Sequence, residues 1–192
     1  IHEAGHAIVG HFVPNSDPIH KISIIARGMA LGYTWNLPTE DRRLETKSRF
    51  LDQIASLMGG RVAEEEFFGL ENITTGAQND LKRATSLARK MITEYGMSEK
   101  LGPQTYGHKE ELPFLGKDYA EHRNYSDKIA GIIDEEISRI IAGGRKKADE
   151  IIKKHKKTIE KIADTLLKQE TIEADEFKKF FGNNGASEKV KS

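Results

Sequence analysis

The sequence predicts a mainly α-helical fold with one small β-hairpin or sheet and a helical C-terminal part, and three observations predict it. Phe50, Leu51, Ile54, Leu57, Met58, Val62, Ala63 and Phe67 recur at spacings of three and four, the period of a helix with one buried face. The same period returns in Ile129, Ile132, Ile133, Ile137, Ile140 and Ile141, and again from Ala148 through Ile151, Ile152, Ile159, Ile162, Ala163, Leu166 and Leu167. Against these long stripes, only His20–Ile25 and Gly32–Leu37 are short, alternating or rich in β-branched and aromatic residues.

The composition narrows the classes open to such a chain. With 192 residues, 37% of them hydrophobic and 31% charged, it has material for one sizeable core or two small ones. Thirty basic residues balance thirty acidic ones, so no overall field recruits nucleic acid or an anionic membrane, and no nucleic-acid partner is expected. The lysines between Arg145 and Lys168 alternate with Ile and Leu at helical spacing and read as a solvated helix face. No window approaches eighteen uninterrupted apolar residues, and no signal-peptide pattern opens the chain, so the piece is expected to be soluble. A start at Ile1-His2, already inside a helical pattern, reads as a piece of a longer polypeptide. Cysteine is absent, which leaves histidine and carboxylates as the candidate zinc ligands.

In chain order, the first helix is expected to run to about Phe12 and to stop at Pro14-Asn15-Ser16-Asp17-Pro18, where two prolines and turn formers prevent continuation. It carries His2-Glu3-Ala4-Gly5-His6. Residues four apart on a helix lie about 40° from one another, so both imidazoles face one point and suit a shared Zn²⁺. A catalytic zinc keeps three protein ligands and leaves a position for water, and a carboxylate beside it can take that water's proton. Glu3 is therefore the candidate general base, with His2 and His6 as candidate ligands. His11 falls on the opposite side of the helix and is not expected to join them.

The two β-rich segments, joined by Arg27-Gly28-Met29-Ala30, are expected to form a hairpin or small sheet. It serves either as scaffold or, at an unpaired edge, as a place for an extended peptide to add. From Glu45 to Phe68 a long amphipathic helix is expected. Gly59-Gly60 weakens it by about 1 kcal/mol per residue in propensity, which is understandable if another backbone, that of the histidine helix, comes close there. Among Glu64, Glu65 and Glu66, one is a candidate metal carboxylate or a group that orients a histidine, although adjacent helical glutamates are ordinarily solvated. Asp80 lies in the first turn of the helix running to Tyr95-Gly96, where a carboxylate ordinarily meets the helix dipole. Residues 101–123 read as a loop, with His108 in solvent. Ser126-Asp127 is expected to cap the next helix, and Gly143-Gly144 to weaken or hinge it. Thr171–Phe177 is expected to open a last short helix, and 182–192 to be a disordered polar tail.

Taken together, His2–His6, Gly28-Met29-Ala30-Leu31-Gly32, Leu37-Pro38, Gly59-Gly60-Arg61 with Ala63-Glu64-Glu65, Thr74-Thr75-Gly76-Ala77 with Asn79-Asp80-Leu81, and Tyr95-Gly96-Met97-Ser98 resemble the peptidase domain of FtsH-type AAA+ zinc metalloproteases, peptidase family M41. Phe114-Leu115-Gly116 and Asn124-Tyr125-Ser126 add to the resemblance, while Ala142-Gly143-Gly144-Arg145 departs from it. The resemblance implies a helical zinc metallopeptidase domain over 1–181, with the zinc site in 1–95 and a helical C-terminal part in 125–181. It implies Zn²⁺ held by His2, His6 and Asp80, Glu3 as catalytic base, and Glu64 as the alternative ligand or as a group behind one. It further implies an ATPase domain outside this chain, a homo-hexamer, unfolded or misassembled proteins as substrates, and a membrane anchor in other segments of the parent. The domain then lies on the cytoplasmic side, or on the matrix or stromal side in an organelle. The competing class is a non-catalytic helical oligomerisation or scaffold domain with a structural metal or none. A structural site would want four protein ligands.

Overall fold

A computed structural model describes residues 1–25, 32–36, 44–107 and 124–182. The expectations for the 27–30 connection, for Leu37-Pro38, for His108 and Phe114–Gly116, and for the tail beyond Gly182 fall outside those residues. The fold is mainly α with a small sheet. In order come α1 (His2–Phe12), β1 (Ile19–Ser23), β2 (Tyr33–Asn36), α2 (Lys47–Phe68), α3 (Gln78–Thr93), α4 (Asp127–Lys154), α5 (Lys156–Gln169), β3 (Thr171–Glu173) and α6 (Ala174–Lys179). Two 3₁₀ turns, Leu70–Asn72 and Thr75–Ala77, connect α2 to α3.

Helix α2 is the axis. Thr46 caps it by accepting the Arg49 N–H at 3.3 Å, and its apolar stripe, with Ile54, Ala55, Met58, Val62 and Ala63 buried, packs on α1, α3 and α4. The α1–α2 crossing depends on glycine. A Cβ on Gly5 would lie 2.5 Å from the Gly59 carbonyl oxygen, and one on Gly59 would lie 2.8 Å from that of Gly5. Only paired glycines permit backbones this close. At its N-terminal end α2 is tied to the α1–β1 turn and to α4. Asp52 accepts from the Asn15 N–H (2.9 Å) and from Lys147 (2.7 Å), while Arg49 donates to the Asn15 carbonyl (3.0 Å) and to Asp17 (2.6 Å).

Two expectations need correction. Helix α4 runs unbroken from Asp127 to Lys154, with no hinge at Gly143-Gly144. Gly144 is buried where a Cβ would meet Ile54 Cγ2 at 2.7 Å, so this glycine admits α2 to the helix instead of loosening it. The change of direction comes at His155, whose non-helical backbone separates α4 from α5. Second, Thr171–Glu173 opens as strand β3 before the short helix α6. The sheet has the order β2-β1-β3 with antiparallel pairs, Ile22 lying opposite both Thr34 and Ile172. Three residues are too few to display a period, and their partner strand lies 148 residues earlier, at the Ser23–Thr171 hydroxyl contact.

Candidate metal centre

Helix α1 presents His2 and His6 one turn apart. Their rings meet edge to face with centroids 4.7 Å apart and Nε2 atoms at 3.1 Å. Asp80, from the first turn of α3, brings Oδ2 to 3.5 Å from His2 Nε2 and 3.3 Å from His6 Nε2. One ligand atom from each of the three lies within 4.8 Å of the others.

The far side of each ring sets what these atoms can do. His2 Nδ1 lies 2.8 Å from Glu64 Oε1, and His6 Nδ1 lies 2.8 Å from the Ser56 carbonyl oxygen. Both partners are acceptors, so in the neutral rings the proton belongs on Nδ1 and the Nε2 lone pairs point inward. Two imidazole lone pairs and a carboxylate oxygen then converge without a proton between them, an arrangement that a cation satisfies. The residues present therefore fit zinc.

When the cluster holds a proton in place of a cation, His2 and His6 donate to Asp80 instead. Burial pushes Asp80 upward, but hydrogen bonds with His2 and His6 outweigh it and hold its carboxyl well below the usual carboxylate range. Glu64 is 4% exposed, and burial likewise opposes its charge. Its hydrogen bonds from the Thr74 N–H and His2 prevail and lower it. Both acids are thus anionic at neutral pH. For His2, burial favours the neutral ring, while Asp80 and Glu64 outweigh it and raise the pKa.

Glu64 also connects the two halves of the centre. Besides His2 it accepts from the Thr74 N–H at 2.9 Å and from the Thr74 hydroxyl at 3.1 Å, so one side chain of α2 holds a histidine of α1 and the turn that delivers Asp80. It stands on the Nδ1 side of His2, away from the three converging atoms. Glu65 turns to Arg61 (3.1 Å) and Arg145 (2.6 Å), and Glu66 to Lys156 (3.1 Å). His11 stacks on Phe181 with centroids 4.2 Å apart, on the other side of α1. Glu3 lies against β2, where the Thr34 hydroxyl is 3.1 Å from its Oε2. Gly60 gives the rings their room, since a Cβ there would sit 2.5 Å from both imidazoles. Sequence reasoning missed Ser56, Thr74 and Thr34. A carbonyl and two threonines carry no pattern of their own, whereas the Gly59-Gly60 pair was a usable signal.

The chain can be compared with known proteins on this footing. The model for Peptidase family M41 matches residues 1–180. An ATP-dependent zinc metalloprotease FtsH 1 of Sphaerobacter thermophilus is 53% identical over 180 residues, covering 94% of this chain and 27% of the relative. An ATP-dependent zinc metalloprotease FtsH 3 of Symbiobacterium thermophilum is 51% identical over 175 residues, 91% of this chain and 28% of the relative. For an ATP-dependent zinc metalloprotease FtsH of Thermotoga maritima the figures are 49% over 179 residues, 93% and 29%. The chain thus spans under a third of the curated relatives it matches. A match through every element from α1 to α6 leaves no part of the described core outside the resemblance, and the chain belongs to peptidase family M41.

Proposed function

We propose that this chain is the zinc-dependent endopeptidase part of a longer, ATP-dependent protease and cleaves unfolded polypeptide. The observation that carries the reading is the convergence of His2 Nε2, His6 Nε2 and Asp80 Oδ2, with Glu3 next to the first ligand on the same helix. These three atoms would hold the ion. Zinc, when bound, supplies Lewis acidity toward a peptide carbonyl and toward the attacking water. The chain's residues do the rest. Glu64 and the Ser56 carbonyl keep the proton of each histidine on Nδ1, Asp80 supplies an anionic oxygen, and Glu3 takes a proton from the water as its oxygen attacks the carbonyl carbon. As the C–N bond breaks, Glu3 returns that proton to the leaving amine. Glu64 acts behind His2 and Asp80 is the third ligand.

Substrate is held extended. Among the described residues β2 pairs only with β1, which supports strand addition along its other edge, next to the helix that carries Glu3. The peptidase unit spans 1–181, with the site in 1–95 and helices from 125 to 181 around it. That the relatives are ATP-dependent zinc metalloproteases supports an ATPase domain elsewhere in the same polypeptide. A homo-hexamer, a membrane anchor in other segments, and a cytoplasmic, matrix or stromal position complete the proposal. No described helix is long and apolar enough to cross a membrane. No specific observation favours a scaffold with a structural metal, since three protein ligands converge among the described residues where such a site uses four.

The test is Glu3→Gln in the intact protein. The amide fits where the carboxylate stood and accepts no proton, so bound zinc is expected to persist while casein cleavage is lost. Cleavage at the wild-type rate would remove Glu3 as the base.

A further inference from the structure

We infer that Thr34 of β2 is the positioning residue for the Glu3 carboxylate, an inference that rests on Glu3 being the base. The Thr34 hydroxyl lies 3.1 Å from Glu3 Oε2 and 3.2 Å from the Glu3 carbonyl oxygen, and both partners only accept, so the hydroxyl donates its one proton between them, with the carboxylate oxygen the nearer. Among the described residues it is the hydrogen-bond donor to that carboxylate. It is also a firmly placed donor. Thr34 pairs with Ile22 in the middle row of the sheet; Ile22 is fully buried and pairs on its other side with Ile172. A β-branched residue has little freedom at χ1, so fixing the strand fixes the hydroxyl.

The other carboxylate oxygen is left room. A Cβ on Gly32 would lie 2.8 Å from Glu3 Oε1, 3.0 Å from its Cγ and 3.0 Å from the Ser23 carbonyl oxygen. The carboxylate is therefore held at Oε2, with Oε1 beside Gly32, where any side chain would displace it. An unrestrained glutamate samples several rotamers, and only the one that meets the attacking water is productive. A donor that selects one pose raises the productive fraction, which acts on turnover and not on substrate binding.

The experiment is hydrolysis of an unstructured quenched-fluorogenic peptide by the intact, zinc-loaded protein, with zinc content and melting midpoint measured on every variant. Thr34→Val keeps the shape and removes the donor. A fall in kcat of about 10- to 100-fold with KM, zinc content and melting midpoint unchanged is expected. Thr34→Ser restores the hydroxyl and is expected to recover most of the loss. A Thr34→Val enzyme with wild-type kcat, equal impairment of the Val and Ser variants, or a change confined to KM would overturn the inference. If Thr34→Val melts early, the Ser variant and Gly32→Ala decide. Gly32→Ala keeps the hydroxyl and crowds Oε1, so active Ser with impaired Ala supports the inference and two wild-type rates refute it. Glu3→Gln runs alongside. Wild-type cleavage by that variant removes the base assignment and this inference with it. Loss of cleavage by Glu3→Gln with full activity of Thr34→Val removes this inference alone.

Discussion

Glu64 and Glu136 are both helical glutamates in the interior, 4% and 1% exposed, yet they are neutralised in different ways. Glu136 of α4 accepts two hydrogen bonds from Arg139, each 2.9 Å, and one from the Ser98 hydroxyl at 2.9 Å. Ser98 in turn accepts the Leu101 N–H, so the group pins the segment after α3 to α4. Its counter-charge is a guanidinium that never loses its proton, and the arrangement is complete once the chain folds. Glu64 faces an imidazole whose other nitrogen points at His6 and Asp80. Its counter-charge is a ring that gains or loses its proton, so it depends on what that cluster holds. Burial of an acid does not by itself mark a functional site; the identity of the partner does.

The widest separation is expected in zinc affinity, measured by titration against a competing chelator. Asp80→Ala removes the proposed third ligand and is expected to cost more than the roughly 10–100-fold typical of a group behind a ligand, while Glu64→Ala should fall within that range. The reverse order would move the third ligand to α2 and put Glu64, not Asp80, on the ion. Glu136→Ala is expected to leave zinc affinity unchanged and to lower folding stability by about 2 kcal/mol, since a charge-assisted pair and the Ser98 bond are lost together. Denaturant titration of the metal-free protein reads this effect.

A pH series sharpens the same contrast. The Arg139 hydrogen bonds lower the Glu136 pKa below its ordinary 4.5, against the opposing effect of burial. A depressed carboxylate contributes stability that is fully present above the unfolded value and is lost as pH falls through the folded one. The stability difference between wild type and Glu136→Gln should therefore stay level from neutral pH to about 4.5 and shrink below it. A difference that shrinks between pH 7 and 5 would contradict the assignment. The smallest effect is expected from Lys100→Ala at the rim, whose pairs with Glu135 (3.2 Å) and Glu136 (4.0 Å) start from a half-exposed ammonium. A change under about 1 kcal/mol in the same titration fits a solvated pair.

What the chain determined by itself is whatever one element carries. His2, Glu3 and His6 share a single helix, so the common face of the two histidines and the place of Glu3 beside it follow from helical geometry alone, and the long stripes of α2, α4 and α5 are legible for the same reason. Asp80 is legible only through the family resemblance, because its local position equally suits an ordinary helix N-terminus. Tertiary structure decided the remainder. Gly59 and Gly144 are the same residue type in helices, and whether each weakens its helix or admits a neighbour depends on the backbone or side chain opposite, at Gly5 and Ile54. Strand β3 exists because β1 offers an edge to three residues whose own pattern specifies nothing. Glu64 differs from Glu65 and Glu66 only by the direction in which α2 turns it, and it meets His2, 62 residues away, because the glycine crossing sets the distance between α1 and α2. Periodicity tells which face of an element is buried. Which partner waits there is fixed only when two elements, each unable to specify the other, pack at one distance and one angle.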